Sequence, residues 1–520
     1  MYKAFARQAG RLALLLALAL MVAAGPAFAQ SRLVIASGTD AVTLDAHYIT
    51  DSPSATVSEH ITEPLFELTP DGQIVPHLVE SYEVSDDGLV WTLHLRRGIL
   101  FHDGTPFNAE AVKFNLDRIL DPDNGVAFRF LISPITSVDV VDEYTVRLTT
   151  EAPFAPILAH LTHSSIGMQS PAAIQRYGDD YARNPVGTGP FRFKEWVRQD
   201  RIVLERNADY WGGPPQVDEI VFRVVPEDGA RMLMVQTGEA HVAVRVPPEM
   251  VSVLDRDPNI DVVNTPSVRT IYIGFNTYQR PDRPKNPFTD RRVRQAFNYA
   301  VDNAAINEFI LGGMGRPSDA PIAPGIFGYA PIGGYEYNPE KARQLLAEAG
   351  YPNGLRVQFY SPSGRYLKDL EVAEAVQAQL AEVGIEAEIV TLEWAAYLAA
   401  TNMPPDQNEV PMFLLGWGTV TGDADYGLYP LFHSSQWVPA GSNRMFYSNP
   451  EVDALLDRAR TTPDDQVRQA AYREAMELIM EDAPWLFLHA ETQLTAIRTE
   501  VEGIVVHPTE RIIAKEARFR

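Results

Sequence analysis

Glu371-Val-Ala-Glu-Ala-Val-Gln-Ala-Gln-Leu-Ala-Glu-Val-Gly-Ile-Glu-Ala-Glu-Ile-Val390 carries two hydrophobic periods back to back. Val372, Val376, Leu380 and Val383 fall on one face of a helix, and Gly384 ends it because glycine accepts the left-handed conformation of a helix stop. Ile385, Ala387 and Ile389 then alternate with Glu386 and Glu388, the period of a half-buried strand. A helix running straight into a strand is the building unit of an α/β lobe, and the stretch predicts that fold class.

The same grammar extends in both directions. Upstream, Asn338-Pro339 reads as helix cap and first helical residue, with Ala342, Leu345, Leu346 and Ala349 as the apolar stripe and Gly350 as the stop. Val293, Ala296, Phe297, Ala300 and Val301 form another stripe. Downstream, Asn449-Pro450 and Thr462-Pro463 each predict a helix start. Toward the N-terminus strands dominate: Leu33 to Ala36, Trp91/Leu93/Leu95, Tyr144/Val146/Leu148, Arg201 to Arg206 and Glu219 to Val225. Asp86-Asp87-Gly88 reads as a hairpin turn. No internal repeat or low-complexity linker separates these segments.

Lys3, Arg7 and Arg11 precede the eleven-residue apolar run Leu12 to Val22, and Ala27-Phe28-Ala29 follows Pro26. That order predicts an export signal, residues 1–29, cleaved after Ala29. The run is too short for a membrane-spanning helix, which needs about 20 residues. The chain has no cysteine, so no lipid-anchoring thiol follows the signal and a free periplasmic protein is expected. The absence also excludes cysteine catalysis and thiolate metal sites. The formal net charge is −24, becoming −27 once the three cationic residues of the signal are removed. Such a surface repels nucleic acid and anionic lipid.

Signs of catalysis are missing. The chain lacks a Gly-x-Ser-x-Gly elbow, a His-Glu-x-x-His helix and a Gly-x-x-x-x-Gly-Lys phosphate loop. Gly187-Thr188-Gly189-Pro190 lacks a third glycine and is read as a sharp backbone turn, not as a phosphate cradle. Trp91 and Trp211 are read as packing residues.

Ordered blocks along the chain carry a resemblance. They include Ser85-Asp-Asp-Gly-Leu-Val-Trp-Thr-Leu-His-Leu-Arg-Arg-Gly98, Phe101-His-Asp-Gly-Thr-Pro-Phe-Asn108, Pro185-Val-Gly-Thr-Gly-Pro-Phe191 and Asn207-Ala-Asp-Tyr-Trp-Gly-Gly213. Val293 to Asp302, Lys341 to Tyr351, Tyr447 to Leu456 and Glu481 to Trp485 complete the series. Collinear over nearly all of the mature chain, they resemble the family 5 extracytoplasmic solute-binding proteins of ABC importers for oligopeptides, dipeptides, nickel and glutathione. Met412 to Phe432, Leu158-Ala-His160 and Ser170-Pro-Ala-Ala173 look closest to the glutathione-binding members.

The resemblance implies a two-lobed α/β clam (type II, class C) with an extra subdomain in the first lobe. It places lobe I at residues 30–62, 185–272 and 485–520, the subdomain at 63–184 and lobe II at 273–484. It implies a monomeric carrier without cofactor or enzymatic activity, which captures a peptide-like solute and hands it to permease subunits in the inner membrane. Two loops are the expected ligand site. One contributes Arg365 and Tyr366, with Arg365 gripping a carboxylate. The other contributes Trp417, Gly418 and Thr419, and runs on to Asp423 and Asp425, which would accept an ammonium or cap the following turn. Dipeptide-binding relatives carry their ammonium-binding Asp where this chain has Val420, and their carboxylate-binding Arg where it has Ser363. A metal-complex or haem carrier using His47, His60 or His433 is the alternative, with a secreted hydrolase behind it.

Overall fold

The computed structural model describes residues 31–520, so the expected export signal and its cleavage point lie outside the described residues. An eleven-stranded mixed sheet organises the chain. Its centre is a pair of long antiparallel strands, Ile260–Phe275 and Trp485–Arg498. On one side the sheet continues through Val242–Val244, Arg32–Ser37, Glu219–Val224, Arg201–Arg206 and Phe191–Val197. On the other it continues through Met412–Gly418, Leu355–Pro362 and Ile385–Leu392. The two wings attach to opposite halves of the long pair: Val242–Val244 to Thr495–Ile497, and Met412–Gly418 to Arg269–Phe275. Each long strand therefore runs from one lobe into the other.

The pairing of the long strands breaks where the lobes meet. Pro266 faces Thr492 and the next partners are Thr270 and Ala490, leaving Ser267 to Arg269 outside the ladder with Glu491 opposite. Proline cannot donate to a ladder, and Pro266 closes the first register. The irregular stretch lets polar side chains enter what would otherwise be continuous sheet.

Lobe I is closed by Leu33, Ile35, Phe191, Ile202, Leu204 and Ile220, all buried. Lobe II buries Phe359, Val372, Val376, Leu380, Ile385 and Leu414 against its sheet. Burial of one such side chain contributes roughly 1.5–3 kcal/mol. The helix and strand of the opening stretch appear as Asp369–Glu382 and Ile385–Leu392, with Gly384 at φ +86° between them. Asn338 and Asn449 cap their helices as their sequence implied. The Thr462-Pro463 start is displaced: Thr462 ends the preceding helix and Asp464 caps Asp465–Asp482. Asp464 prevails because its carboxylate accepts from two backbone N–H groups, those of Gln466 and Val467.

A separate four-stranded antiparallel sheet, ordered Val79–Val84, Val90–Leu95, Thr145–Thr150 and Ile135–Asp142, forms the core of the additional subdomain. The passages His60 to Thr62 and Gly187 to Gly189, which flank this part of the chain, lie side by side. Gly189 N–H donates to the Ile61 carbonyl at 2.9 Å. A Cβ on Gly187 would stand 2.1 Å from that carbonyl oxygen, so backbone contact, not a turn requirement, demands glycine here. Glu63 binds the junction, accepting from Thr188, Tyr210, Trp211 and His77 at 2.6–2.9 Å. Burial alone would lower His77, but Glu63 and Glu67 raise it to about 9.

Candidate functional site

The break in the long-strand pairing opens onto a cavity. Every part of the fold reaches it. Ile49 to Ser52, Ala55 and Glu59 come from the first lobe, and Phe128 and Thr162 to Ser164 from the subdomain. Arg365, Tyr366, Trp394, Leu398, Leu415 to Gly418, Tyr426 and Arg444 come from the second lobe, with Arg269, Thr509 and Arg511 at the junction.

Asp51 sits at the cavity because it caps the helix Ser52–Ser58, accepting from Ser54 N–H at 3.0 Å. Burial raises its carboxyl above the ordinary carboxylate range. The Gly364–Tyr366 loop is gathered by the Asp369 carboxylate, which accepts from the backbone N–H groups of Gly364, Arg365 and Tyr366 at 2.8–3.2 Å. This arrangement turns Arg365 inward. Its guanidinium lies over the Tyr366 ring at 4.5 Å and the Trp394 ring at 5.2 Å.

Four arginines and two carboxylates line the cavity, and their pairing is uneven. Arg511 pairs with Glu59 at 2.8 Å. Arg269 donates to Glu510 at 2.5 Å, to Ser52 Oγ at 2.7 Å and to the Gly416 carbonyl at 2.8 Å. Arg365 has only a 3.7 Å contact with Glu510, and its Nε is buried without a hydrogen-bond partner. Arg444, 5 % exposed, forms no ion pair among the described residues. Its one hydrogen bond is long, 3.4 Å to the Ser442 carbonyl, and its Nε has no partner. Burial lowers its pKa against the pull of the surrounding tyrosines 272, 397, 366 and 426. A buried guanidinium without a counter-ion costs free energy unless something else supplies the charge. Arg444 therefore leaves an uncompensated cation on the cavity wall among the described residues.

Of the residues singled out by sequence, Arg365, Tyr366, Trp417 and Gly418 line this cavity. Trp417 offers its ring, but its N–H is committed to the Tyr426 carbonyl at 2.9 Å and is no free donor. Thr419 is buried against Gly427, and its backbone N–H donates to Val268. Asp423 caps the helix Ala424–Phe432 and pairs with Arg468 at 2.7 Å. Asp425 lies 3.1 Å from both His160 and Arg460, with angles too oblique for hydrogen bonds. Burial alone would raise Asp425, but Arg460, His160 and Arg468 hold it below the ordinary range. Neither carboxylate lines the cavity; both are occupied by distant cations.

The three histidines considered as metal or haem ligands also lie elsewhere. His47 packs on Arg118, His60 bridges the Thr56 carbonyl to Ala514 N–H, and His433 accepts from Ser435. None lines the cavity, and no group of three or more His, Cys, Asp or Glu suited to a metal ion occurs among the described residues. Arg269, Arg444, Arg511 and Asp51 escaped sequence reasoning. No local pattern marks the arginines, and Asp51-Ser52-Pro53 reads simply as a helix cap.

Comparison with known proteins adds four findings. The profile of bacterial extracellular solute-binding proteins, family 5, matches residues 73–439. The glutathione-binding protein GsiB of Pectobacterium atrosepticum is 37 % identical over 487 residues, 93 % of each chain. The periplasmic binding protein DppA of Helicobacter pylori, solved with the peptide STSA, superposes with a TM-score of 0.85 at 30 % identity, covering 93 % of this chain and 98 % of that one. The oligopeptide-binding protein AppA of Bacillus subtilis, solved with a nonapeptide, gives 0.87 at 26 %, covering 94 % and 99 %.

Proposed function

The chain belongs to the bacterial extracellular solute-binding proteins, family 5, and on that premise we propose that its cargo is a small anionic peptide, glutathione first among candidates. It is the solute-capturing component of an ABC importer and not an enzyme. The observation that carries the ligand reading is Arg444, a buried cation on the cavity wall with no anion of its own. A peptide carboxylate would neutralise it through charge-assisted hydrogen bonds worth roughly 1.5–3 kcal/mol each. Arg365 would share that carboxylate or hold a second one, and Asp51 offers the only cavity carboxylate not paired with an arginine among the described residues. Tyr366, Trp394 and Trp417 would supply flat apolar walls.

The lobes are assigned as residues 30–62, 185–272 and 485–520 against 273–484, with 63–184 as the subdomain; the sheet order supports this division. A ligand touching both lobes binds the closed form better than the open one, and that difference drives closure. The closed surface is then what the membrane permease engages. The mature protein is proposed to work as a monomer in the periplasm, released by cleavage after Ala29. No helix among the described residues is long and apolar enough to cross a membrane.

Mass spectrometry of the solute that co-purifies, followed by calorimetric titration with glutathione, dipeptides and longer peptides, tests this reading. Micromolar or tighter binding of a carboxylate-bearing peptide that falls at least about tenfold in Arg444→Met is expected. Binding unaffected by that substitution would remove Arg444 from the site.

A further inference from the structure

A second cavity adjoins the first and shares only Ser52 and Arg365 with it. Its walls are largely apolar, including Ile35, Val57, Phe222, Val244, Leu494 and Ile512. Against those walls stand buried polar atoms without hydrogen-bond partners among the described residues: Thr39 Oγ1, Arg245 Nε and Nη2, Arg365 Nε and Glu491 Oε2. Buried polar groups are normally satisfied, so several exceptions in one chamber call for a partner.

Arg245 is the decisive one. It adopts a left-handed φ of +56°, a strained conformation for a long side chain, and it forms neither ion pair nor hydrogen bond among the described residues. The neighbouring Arg231 converges on the same spot: a Cβ on Gly38 would lie 3.0 Å from Arg245 Nη2 and 3.1 Å from Arg231 Nη1. Arg231, however, is occupied by Asp228 and by the carbonyls of Val225 and Pro226. No carboxyl group of the chamber forms an ion pair with Arg245 among the described residues. Asp40 accepts from Trp196 and from Gln199 N–H, and Glu510 accepts from Arg269. Burial and the adjacent Glu510 raise the Glu491 carboxyl and favour its protonated form. Burial, with the repulsion of Arg231 and Arg365, lowers Arg245 to about 10, so it still carries its charge at neutral pH.

We infer that this chamber is a second ligand compartment, which takes an aliphatic arm ending in a carboxylate and seats that carboxylate on Arg245. The cargo is then a peptide with two separated carboxylates, one for each cavity, as in a peptide carrying a glutamyl arm. The inference rests on the peptide-binding reading of the first cavity and narrows it to acidic peptides.

Calorimetric titration of the mature protein tests it with three probes: glutathione, 4-aminobutyryl-cysteinyl-glycine and γ-glutamyl-cysteinyl-ethylamide. The two analogues each lack one carboxylate. Wild-type protein should bind glutathione at least about tenfold tighter than either analogue. In Arg245→Met, that ratio should collapse to about one for a single analogue and persist for the other. Val57→Phe, which fills the chamber without altering Arg245, should weaken glutathione by about tenfold and bear the test should Arg245→Met not fold. Wild-type binding of glutathione with ratios and affinity insensitive to both substitutions overturns the second compartment and leaves the first site standing. Failure of the wild-type protein to bind any of the three overturns the peptide reading, and this inference with it.

Discussion

Gly38 and Gly364 meet backbone to backbone: a Cβ on Gly38 would stand 2.5 Å from the Gly364 carbonyl oxygen. Gly38 follows the first strand of lobe I, and Gly364, at φ +72°, opens the loop that presents Arg365. The contact brings the ligand-bearing loop of one lobe against the sheet of the other.

Gly38→Ala is therefore expected to disfavour closure. Gly38 is not in the left-handed region, so the cost of alanine lies in its collisions, foremost with the Gly364 carbonyl and then with Arg245 Nη2 and Arg231 Nη1 at 3.0 and 3.1 Å. Overpacking of this kind costs roughly 1–3 kcal/mol. Calorimetry should show about a tenfold or greater loss of affinity, and solution scattering a ligand complex less compact than that of the wild type. Equal affinity would mean that the two glycines need not touch for binding.

Arg444→Met is expected to separate function from stability. Methionine fills similar space without an uncompensated charge, so the ligand-free variant should gain about 1–2 kcal/mol while losing affinity. Differential scanning calorimetry of the ligand-free proteins checks the gain. A lower melting temperature would show that Arg444 holds the fold together.

Asp425→Asn should do the opposite. It leaves Arg460 and His160 buried without their shared anion, and breaking such a pair costs about 3–5 kcal/mol. Ligand affinity, measured well below the melting transition, should stay within about twofold of wild type because Asp425 does not line the cavity. A large loss of affinity without destabilisation would return Asp425 to the ligand site.

Glu491 makes stability depend on pH. Burial and Glu510 raise its pKa above the ordinary 4.5, against the pull of Arg269 and Arg365; Arg245 also faces the chamber. The folded state then binds a proton that the unfolded state releases, so stability falls as pH rises above about 4.5. Glu491→Gln imitates the protonated form. The variant should melt near the wild-type temperature at about pH 5 and above it at about pH 8. His77, also raised, contributes a loss of stability in the same direction in both proteins and cancels in the comparison. An unchanged difference across that range would place Glu491 among ionised carboxylates.

Much of the fold was legible because it is written locally. The 372–390 stretch carries its helix, stop and strand within twenty residues, and asparagine caps such as Asn338 and Asn449 need no distant partner. Thr462-Pro463 misled by two residues because a stronger cap, Asp464, follows at once. Gly187 and Gly189 looked like turn residues, yet their constraint is a second, distant chain passage at His60 and Ile61.

The sequence by itself determined the α/β class, the family and two segments, Gly364 to Lys368 and Leu415 to Thr419, whose Arg365, Tyr366, Trp417 and Gly418 line the cavity; the second is the end of a strand, not the loop expected. Only the tertiary structure decided which charges there remain free. Asp423 and Asp425 follow a glycine-bearing segment that invites a ligand role, but they form the cap and first turn of a helix, and Arg468, Arg460 and His160 arrive from remote segments and occupy them. Arg444 and Arg245 stand in unremarkable local contexts, yet no carboxylate arrives to meet them among the described residues. Whether a charge is paired depends on every element packed around it, and a one-dimensional pattern does not contain that information.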